Sequence, residues 1–453
     1  MRILLIGIVA ALAALGSAQA AESKAGDRCA ALAAYIWEPG FRETGIGWDK
    51  IDEEAALPVC TAALAEAPHD PPTLFRLARI YLQQKNFDRA LPLLLEASEA
   101  GYAPAQAAYG TAYMRGDMGQ PDHLLAFRWL TAAAEQGNPV GKANLGVMYA
   151  GDHSIPANPE RFVQLTFEAA EAGADFAQNN VGWIYEQGYV LDHDPALAEA
   201  WYRLALGQGY LPARASLGRL LSRSGDTPED HEEGFALLTA AAADGDGTSA
   251  TQIGFIHSGG VTRPQDFALA RTAYEEGLRL GDPPAAYLLG DLYEWGRGVP
   301  RDRERAFAYY LQAAWLGHAM AQYRVGFFVH HGWGGTPRDD ATALAWFVRA
   351  AEQGHVLAQV SAAGMYRDLF QGHPVPAYHD PEKARYWYLT AARAGHLGAR
   401  LEAAIYLVGE GDFETARTYI EDVLARGDEM MVKQAHYTIE IIQFLRAAEK
   451  LPV

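Results

Sequence analysis

Residues 285–317 read AAYLLGDLYEWGRGVPRDRERAFAYYLQAAWLG, and the recurrence of this pattern decides the fold. Leu289 and Tyr293 stand one helical turn apart, and Tyr309-Tyr310 open a second apolar stretch that ends in Ala313-Ala314. Between them Asp302 lies four residues before Ala306, where an acidic N-cap accepts from the free N–H groups of a first helical turn. Gly317 follows the second helix, in the place where a left-handed residue ends one. The stretch therefore reads as helix A, loop, helix B and a closing turn.

The same columns run through most of the chain. Closing glycines recur at Gly101, Gly137, Gly173, Gly209, Gly245, Gly281 and Gly317, 36 residues apart, and continue at Gly354, Gly395 and Gly427. A small residue follows four positions later, at Ala105, Gly141, Ala177, Ala213, Ser249, Ala285, Ala321, Ala358 and Ala399. The cap column is Asn86, Asp122, Asn158, Asp194, Asp230, Asp266, Asp302, Asp339, Asp380 and Asp412. Pro159, Pro195 and Pro381 sit at the first helical position behind three of them. One carboxylate or amide per repeat at fixed spacing is a structural column, not a row of catalytic or metal-binding acids. Inside helix A a glycine recurs (Gly110, Gly146, Gly182, Gly218, Gly254, Gly290, Gly326) and admits close approach of a neighbouring helix. Helix B supplies the large rings: Trp129, Trp201-Tyr202, Tyr309-Tyr310, Trp346-Phe347 and Trp387-Tyr388. Repeats 4 and 5 look degenerate in this column, with Leu237 and Ala273. No single hairpin buries such faces alone, so the stack is the fold.

The columns resemble the Sel1-like repeat (SLR), a relative of the tetratricopeptide repeat. The resemblance covers nine units, residues 105–430, while residues 71–104 look more like a plain tetratricopeptide unit. It implies an all-α, right-handed α/α superhelical solenoid, with residues 21–70 as a first hairpin and residues 431–453 as a capping helix and tail. With a cap at each end, the stack is not expected to grow end to end. It also implies an adaptor that binds proteins or peptides. Exported bacterial members include periplasmic regulators, helpers of envelope and exopolysaccharide assembly, and secreted proteins that meet host receptors.

The N-terminus sets the expected compartment. Arg2, an apolar run over residues 3–15 and small residues at Ala18 and Ala20 read as a signal peptide over residues 1–20, cleaved after Ala20. The apolar run is too short to span a bilayer, and Asp27-Arg28 before Cys29 gives no lipobox. The chain is expected to be periplasmic or secreted, without a membrane span. A net charge of −19 at pH 7 repels phosphate backbones, which argues against nucleic acid. The two cysteines, Cys29 and Cys60, read as one disulfide in an oxidising compartment, with two buried free thiols as the alternative.

Little remains for catalysis. Asp244-Gly-Asp246-Gly opens like a calcium loop, but Ser249 and Phe255 occupy its sixth and twelfth positions, so it reads as a turn. His330, His331, His355, His373 and His379 match no zinc spacing. Neither a P-loop nor G-x-S-x-G is present. The protein is read as non-enzymatic, with no cofactor and no metal.

If helix A lines a concave wall, its outward positions fall two, six, nine and ten residues after the small starting residue. These give Trp183, Glu186, Arg219, Phe255, Tyr287, Trp295, Tyr323, Phe327 and His330 as candidate partner-binding residues. Trp333 and Tyr378, beside and within the long repeat-8 loop over residues 370–379, form a second candidate. In repeats 1 and 2 the same positions are bland: Ala107, Thr111, Ala143 and Val147. Aromatic and arginine side chains are what binding hot spots use, while packing between helices is the alternative for the same rings. The expected partner is a protein or peptide of the cell envelope. A structural envelope protein contacting peptidoglycan or polysaccharide with these rings is the second reading.

Overall fold

A computed structural model describes residues 24–449, apart from residues 49, 118, 152–154, 261, 368, 371–372 and 375–377. The signal-peptide reading over residues 1–20 lies outside the described residues. The described residues form two compact units, divided between Asp226 and Thr227.

The first unit contains α1 (Lys24–Ala33), α2 (Glu53–Glu66), α3 (Pro71–Gln83), α4 (Phe87–Glu99), α5 (Ala103–Arg115), α6 (His123–Glu135), α7 (Pro139–Tyr149), α8 (Pro159–Glu171), α9 (Asp175–Gln187), α10 (Pro195–Gly207) and α11 (Pro212–Ser224). Cys29 of α1 and Cys60 of α2 form a disulfide that closes the first hairpin. From α3 to α10 each A helix packs on its own B helix, and each B helix packs on the next A helix, ending with α10 on α11.

The second unit contains α12 (Pro228–Ala243), α13 (Gly247–Gly259), α14 (Phe267–Arg279), α15 (Pro283–Trp295), α16 (Arg303–Trp315), α17 (Ala319–His331), α18 (Asp340–Glu352), α19 (Val356–Tyr366), α20 (Pro381–Arg393), α21 (Leu397–Gly409), α22 (Phe413–Arg426) and α23 (Glu429–Glu449). Two short antiparallel strands, β1 (Leu369–Phe370) and β2 (His373–Pro374), form a ribbon inside the repeat-8 loop. The helical-hairpin architecture expected from the columns is thus present in both units. Among the described residues no helix is long and apolar enough to cross a membrane.

The cap column behaves as read, with one correction. Asp122, Asp194, Asp302 and Asp380, for example, each accept from the backbone N–H three residues on. Asp230 does not cap. Thr227 caps α12, and Asp230 returns a hydrogen bond from its third position to the Thr227 N–H, a capping box that starts the helix three residues early. The closing glycines from Gly101 to Gly395 all have positive φ, whereas Gly427 is extended at φ −73°.

Gly110, Gly146, Gly182, Gly254, Gly290 and Gly326 face the B helix of their own hairpin. A β-carbon on Gly182, Gly254, Gly290 or Gly326 would lie 2.6, 2.4, 2.6 or 2.8 Å from the ring of Tyr202, Tyr274, Tyr310 or Phe347. The ring that fills the notch is the second of the pairs Trp201-Tyr202, Tyr309-Tyr310 and Trp346-Phe347. Repeat 5 is not degenerate in packing, since Tyr274 fills the notch behind Ala273.

Candidate functional site: the outward face of the A helices

The outward positions can be read first where they are occupied. The described residues of the loop between α1 and α2, 34–48 and 50–52, lie against α3. Counted from Thr73, the position matching the small starting residue, Phe75 is two residues on, Arg76 three, Arg79 six and Gln83 ten. Phe75 packs against Tyr35 and Trp48, with ring centroids 6.5 and 6.4 Å away. Arg76 Nη2 lies 2.8 Å from the buried Glu38 carboxylate. Arg79, 1% exposed, donates to the carbonyls of Ala33, Ile46 and Gly47 at 2.6, 3.2 and 2.8 Å. Gln83 donates to Ile51 O and accepts from Ile51 N, as a strand partner would. Burial pushes the Arg79 guanidinium down, to about 10, which leaves it charged at neutral pH.

The loop also reaches further along the unit. Tyr102 donates to Glu38 at 2.8 Å, Trp37 packs on the cluster holding Ala143 and Ala177, and Arg42 donates to Gly173 O at 3.1 Å. The small side chain at Ala143, bland in the sequence, thus lies in the cluster that receives Trp37.

Elsewhere in the first unit, Trp183 is exposed on α9 beside Phe162 and Tyr189. Glu186 corrects the sequence reading. It is buried, accepts from the Tyr202 hydroxyl at 2.7 Å, and takes a two-pronged ion pair from Arg219. Glu186 and Arg219 therefore saturate each other and staple one hairpin to the next.

In the second unit, Phe255 is exposed on α13 and Trp295 is 55% exposed at the end of α15. Tyr287 packs between Tyr310 and His318, and burial pushes its hydroxyl up to about 12. Tyr323, Phe327, His331 and Trp333 form one continuous aromatic cluster: Phe327 lies 6.4 Å from Tyr323, 4.2 Å from His331 and 5.4 Å from Trp333. Arg303 stacks 4.0 Å above Trp333. Tyr378 is half-buried against the second unit's core. His330 is a second correction: it is 1% exposed, with Nδ1 2.7 Å from Asp340 Oδ1.

Both corrections concern the ninth position, where Glu294 also falls. Glu294 is buried beneath the Tyr310 hydroxyl at 2.6 Å and bonded to Arg324 of the next A helix. At this last turn, groups of the flanking helices close over the outward side, so the ninth residue turns in and the tenth (Gln187, Trp295) turns out. The Tyr310 hydroxyl also lies 2.7 Å from Asp291, whose carboxyl is pushed up by burial, with Glu294 adding to the rise against Tyr310 and Arg324.

The loop on α3 and three histidine caps escaped the sequence reading. His318, His355 and His396 accept through Nδ1 from the N–H groups of Ala321, Ala358 and Ala399. The signal was available: each follows a closing glycine, where Asn138 and Asp246 cap other repeats.

Hairpins of this length, with a glycine notch in one arm and a ring in the other, define a helical-repeat scaffold. The Sel1 repeat model matches residues 103–138, 175–210, 211–246, 283–318, 319–355 and 363–396, and a tetratricopeptide repeat model matches residues 52–113. The chain belongs to the Sel1-repeat proteins, which generally mediate protein–protein interaction and are typically non-catalytic. It is 30% identical over 167 residues to chitin synthase regulatory factor 3 of Schizosaccharomyces pombe, covering 34% of this chain and 18% of the relative. It is 28% identical over 140 residues to chitin synthase regulator SKT5 of Saccharomyces cerevisiae, covering 30% and 20%. The chain thus spans about a fifth of the length of these two relatives. Among solved structures, a protective antigen of uropathogenic Escherichia coli with an SLR fold is similar at 24% identity and TM-score 0.43, covering 83% of this chain and 80% of that one. A Sel1 repeat protein from Oxalobacter formigenes is similar at 28% identity and TM-score 0.43, covering 66% and 86%.

Proposed function

We propose that the chain is a non-catalytic adaptor of the cell envelope that binds an extended protein segment on the outward face of the second unit's A helices. The observation that carries this reading is the loop on α3. There the second, third, sixth and tenth positions (Phe75, Arg76, Arg79 and Gln83) hold a non-helical stretch of chain by ring packing, an ion pair and hydrogen bonds to its backbone. In the second unit the second, sixth and tenth positions include Tyr287, Tyr323, Phe327 and Trp295, and Trp333 extends the cluster. Phe255 and Phe327 replace the arginine of the sixth position on either side of Asp291, so the segment taken there is expected to offer apolar side chains.

The N-terminal signal-peptide pattern and the Cys29–Cys60 disulfide support export to an oxidising compartment. The two yeast relatives are regulators of chitin synthase, which supports a regulatory adaptor.

The test is affinity capture from the envelope fraction with wild type and with W295A/Y323A/F327A, which should keep wild-type helicity. Loss of one specific protein from the variant places the site. Capture of the same protein by both moves the interface elsewhere, and sedimentation with cell-wall sacculi alone replaces the adaptor with a glycan-binding role.

A further inference from the structure

The C-terminal helix α23 is amphipathic on two sides. Ala435 and Thr438 are buried, and Met431 and Ile439 pack on the second unit's core, so one face is used within the chain. On the opposite face Met430, Tyr437 and Phe444 are 71, 66 and 73% exposed. They recur every seven residues, two turns apart, and form one straight apolar stripe. Lys433 and Glu440, also exposed, run along the same flank of that stripe.

We propose that this stripe is a self-association surface and that two copies of the chain pair through antiparallel α23 helices. The charges favour that occupant. With Tyr437 placed opposite Tyr437 of the second copy, Met430 meets Phe444 and the reverse. The flanking Lys433 then faces Glu440 of the other copy, twice, through the same two-fold axis. Matching flanks meet only in antiparallel pairing, and a parallel pair would leave Lys433 without this partner. A self-complementary patch of this kind is what a two-fold interface requires. An anionic membrane is a poorer occupant, because the net charge of −19 works against it and the stripe carries one lysine against one glutamate.

The test uses the full mature chain in sedimentation velocity from about 1 to 100 µM, since one helix pair is a small interface. Wild type should shift from monomer to dimer across this range. Tyr437→Asp should remain monomeric with unchanged helicity. Lys433→Glu should weaken the dimer at least several-fold, and adding Glu440→Lys should restore it. Tyr437→Cys should give a disulfide-linked dimer on mild oxidation, whereas Met430→Cys alone should not, because residue 430 faces residue 444. A wild type that stays monomeric at 100 µM overturns the proposal. So does a dimer indifferent to Tyr437→Asp, or a charge swap that fails to restore association.

Discussion

Gly290 and Tyr310 meet where the two arms of one hairpin come closest: a β-carbon on Gly290 would lie 2.6 Å from Cε1 of the Tyr310 ring. The contact recurs twenty residues apart at Gly182 with Tyr202 and at Gly254 with Tyr274. Each ring is fully or almost fully buried, so it has no room to retreat. Gly290→Ala should destabilise the second unit by about 1–3 kcal/mol through overpacking, read as a lower thermal midpoint. Gly207→Ala, at the end of α10 with nothing near its added methyl, should be neutral or stabilise by up to about 1 kcal/mol.

Removing the acid beneath the α3 loop should be costly. Glu38→Ala leaves the buried Arg76 guanidinium without its carboxylate and deprives Tyr102 of its acceptor. A loss of about 3–5 kcal/mol is expected in chemical denaturation of the first unit. Limited proteolysis should then cut within residues 34–52. Glu38→Ala/Arg76→Ala should cost less than the sum of the single changes.

Reduction should act on the first unit alone. The cysteines are 31 residues apart, and on the chain-entropy view a loop of this length contributes about 3–4 kcal/mol. Cys29→Ser/Cys60→Ser should lower the stability of the first unit by that order, while a melting transition assigned to the second unit should be unchanged with or without reductant.

The histidine caps should make the second unit acid-sensitive. His318, His355 and His396 accept a backbone N–H through Nδ1, and only a neutral ring accepts. Burial lowers all three pKa values in the folded chain. The unfolded chain then binds more protons below about pH 6.5, so stability is fully present above that value and is lost as pH falls toward the folded pKa values. Urea midpoints at pH 7.5 and 5.0 should differ more for wild type than for H318N/H355N/H396N, whose asparagines cap at both pH values.

Periodicity made the hairpins, caps and glycine notches legible, because each is a local rule repeated many times. What escaped it was non-local or depended on a competitor nearby. The cap at Asp230 failed because Thr227-Pro228 offers a better start three residues earlier. Glu186 and His330 were placed outward by wheel angle, but groups from adjacent helices close over that turn. The α3 loop was hidden because its partners, Arg76 and Arg79, lie 38 and 46 residues from the groups they hold. An arginine at an outward position, Arg79, with a second three residues before it, after a 19-residue gap between helices, was the trace it left.

The lock between Gly290 and Tyr310 lies within one hairpin rather than between two. A recombination event that drops or duplicates one 36-codon block therefore carries both halves of the lock with it. The length of such a gene can drift by whole blocks while each remaining hairpin still closes on its own ring, so reach is the property of this scaffold that inheritance can alter most easily.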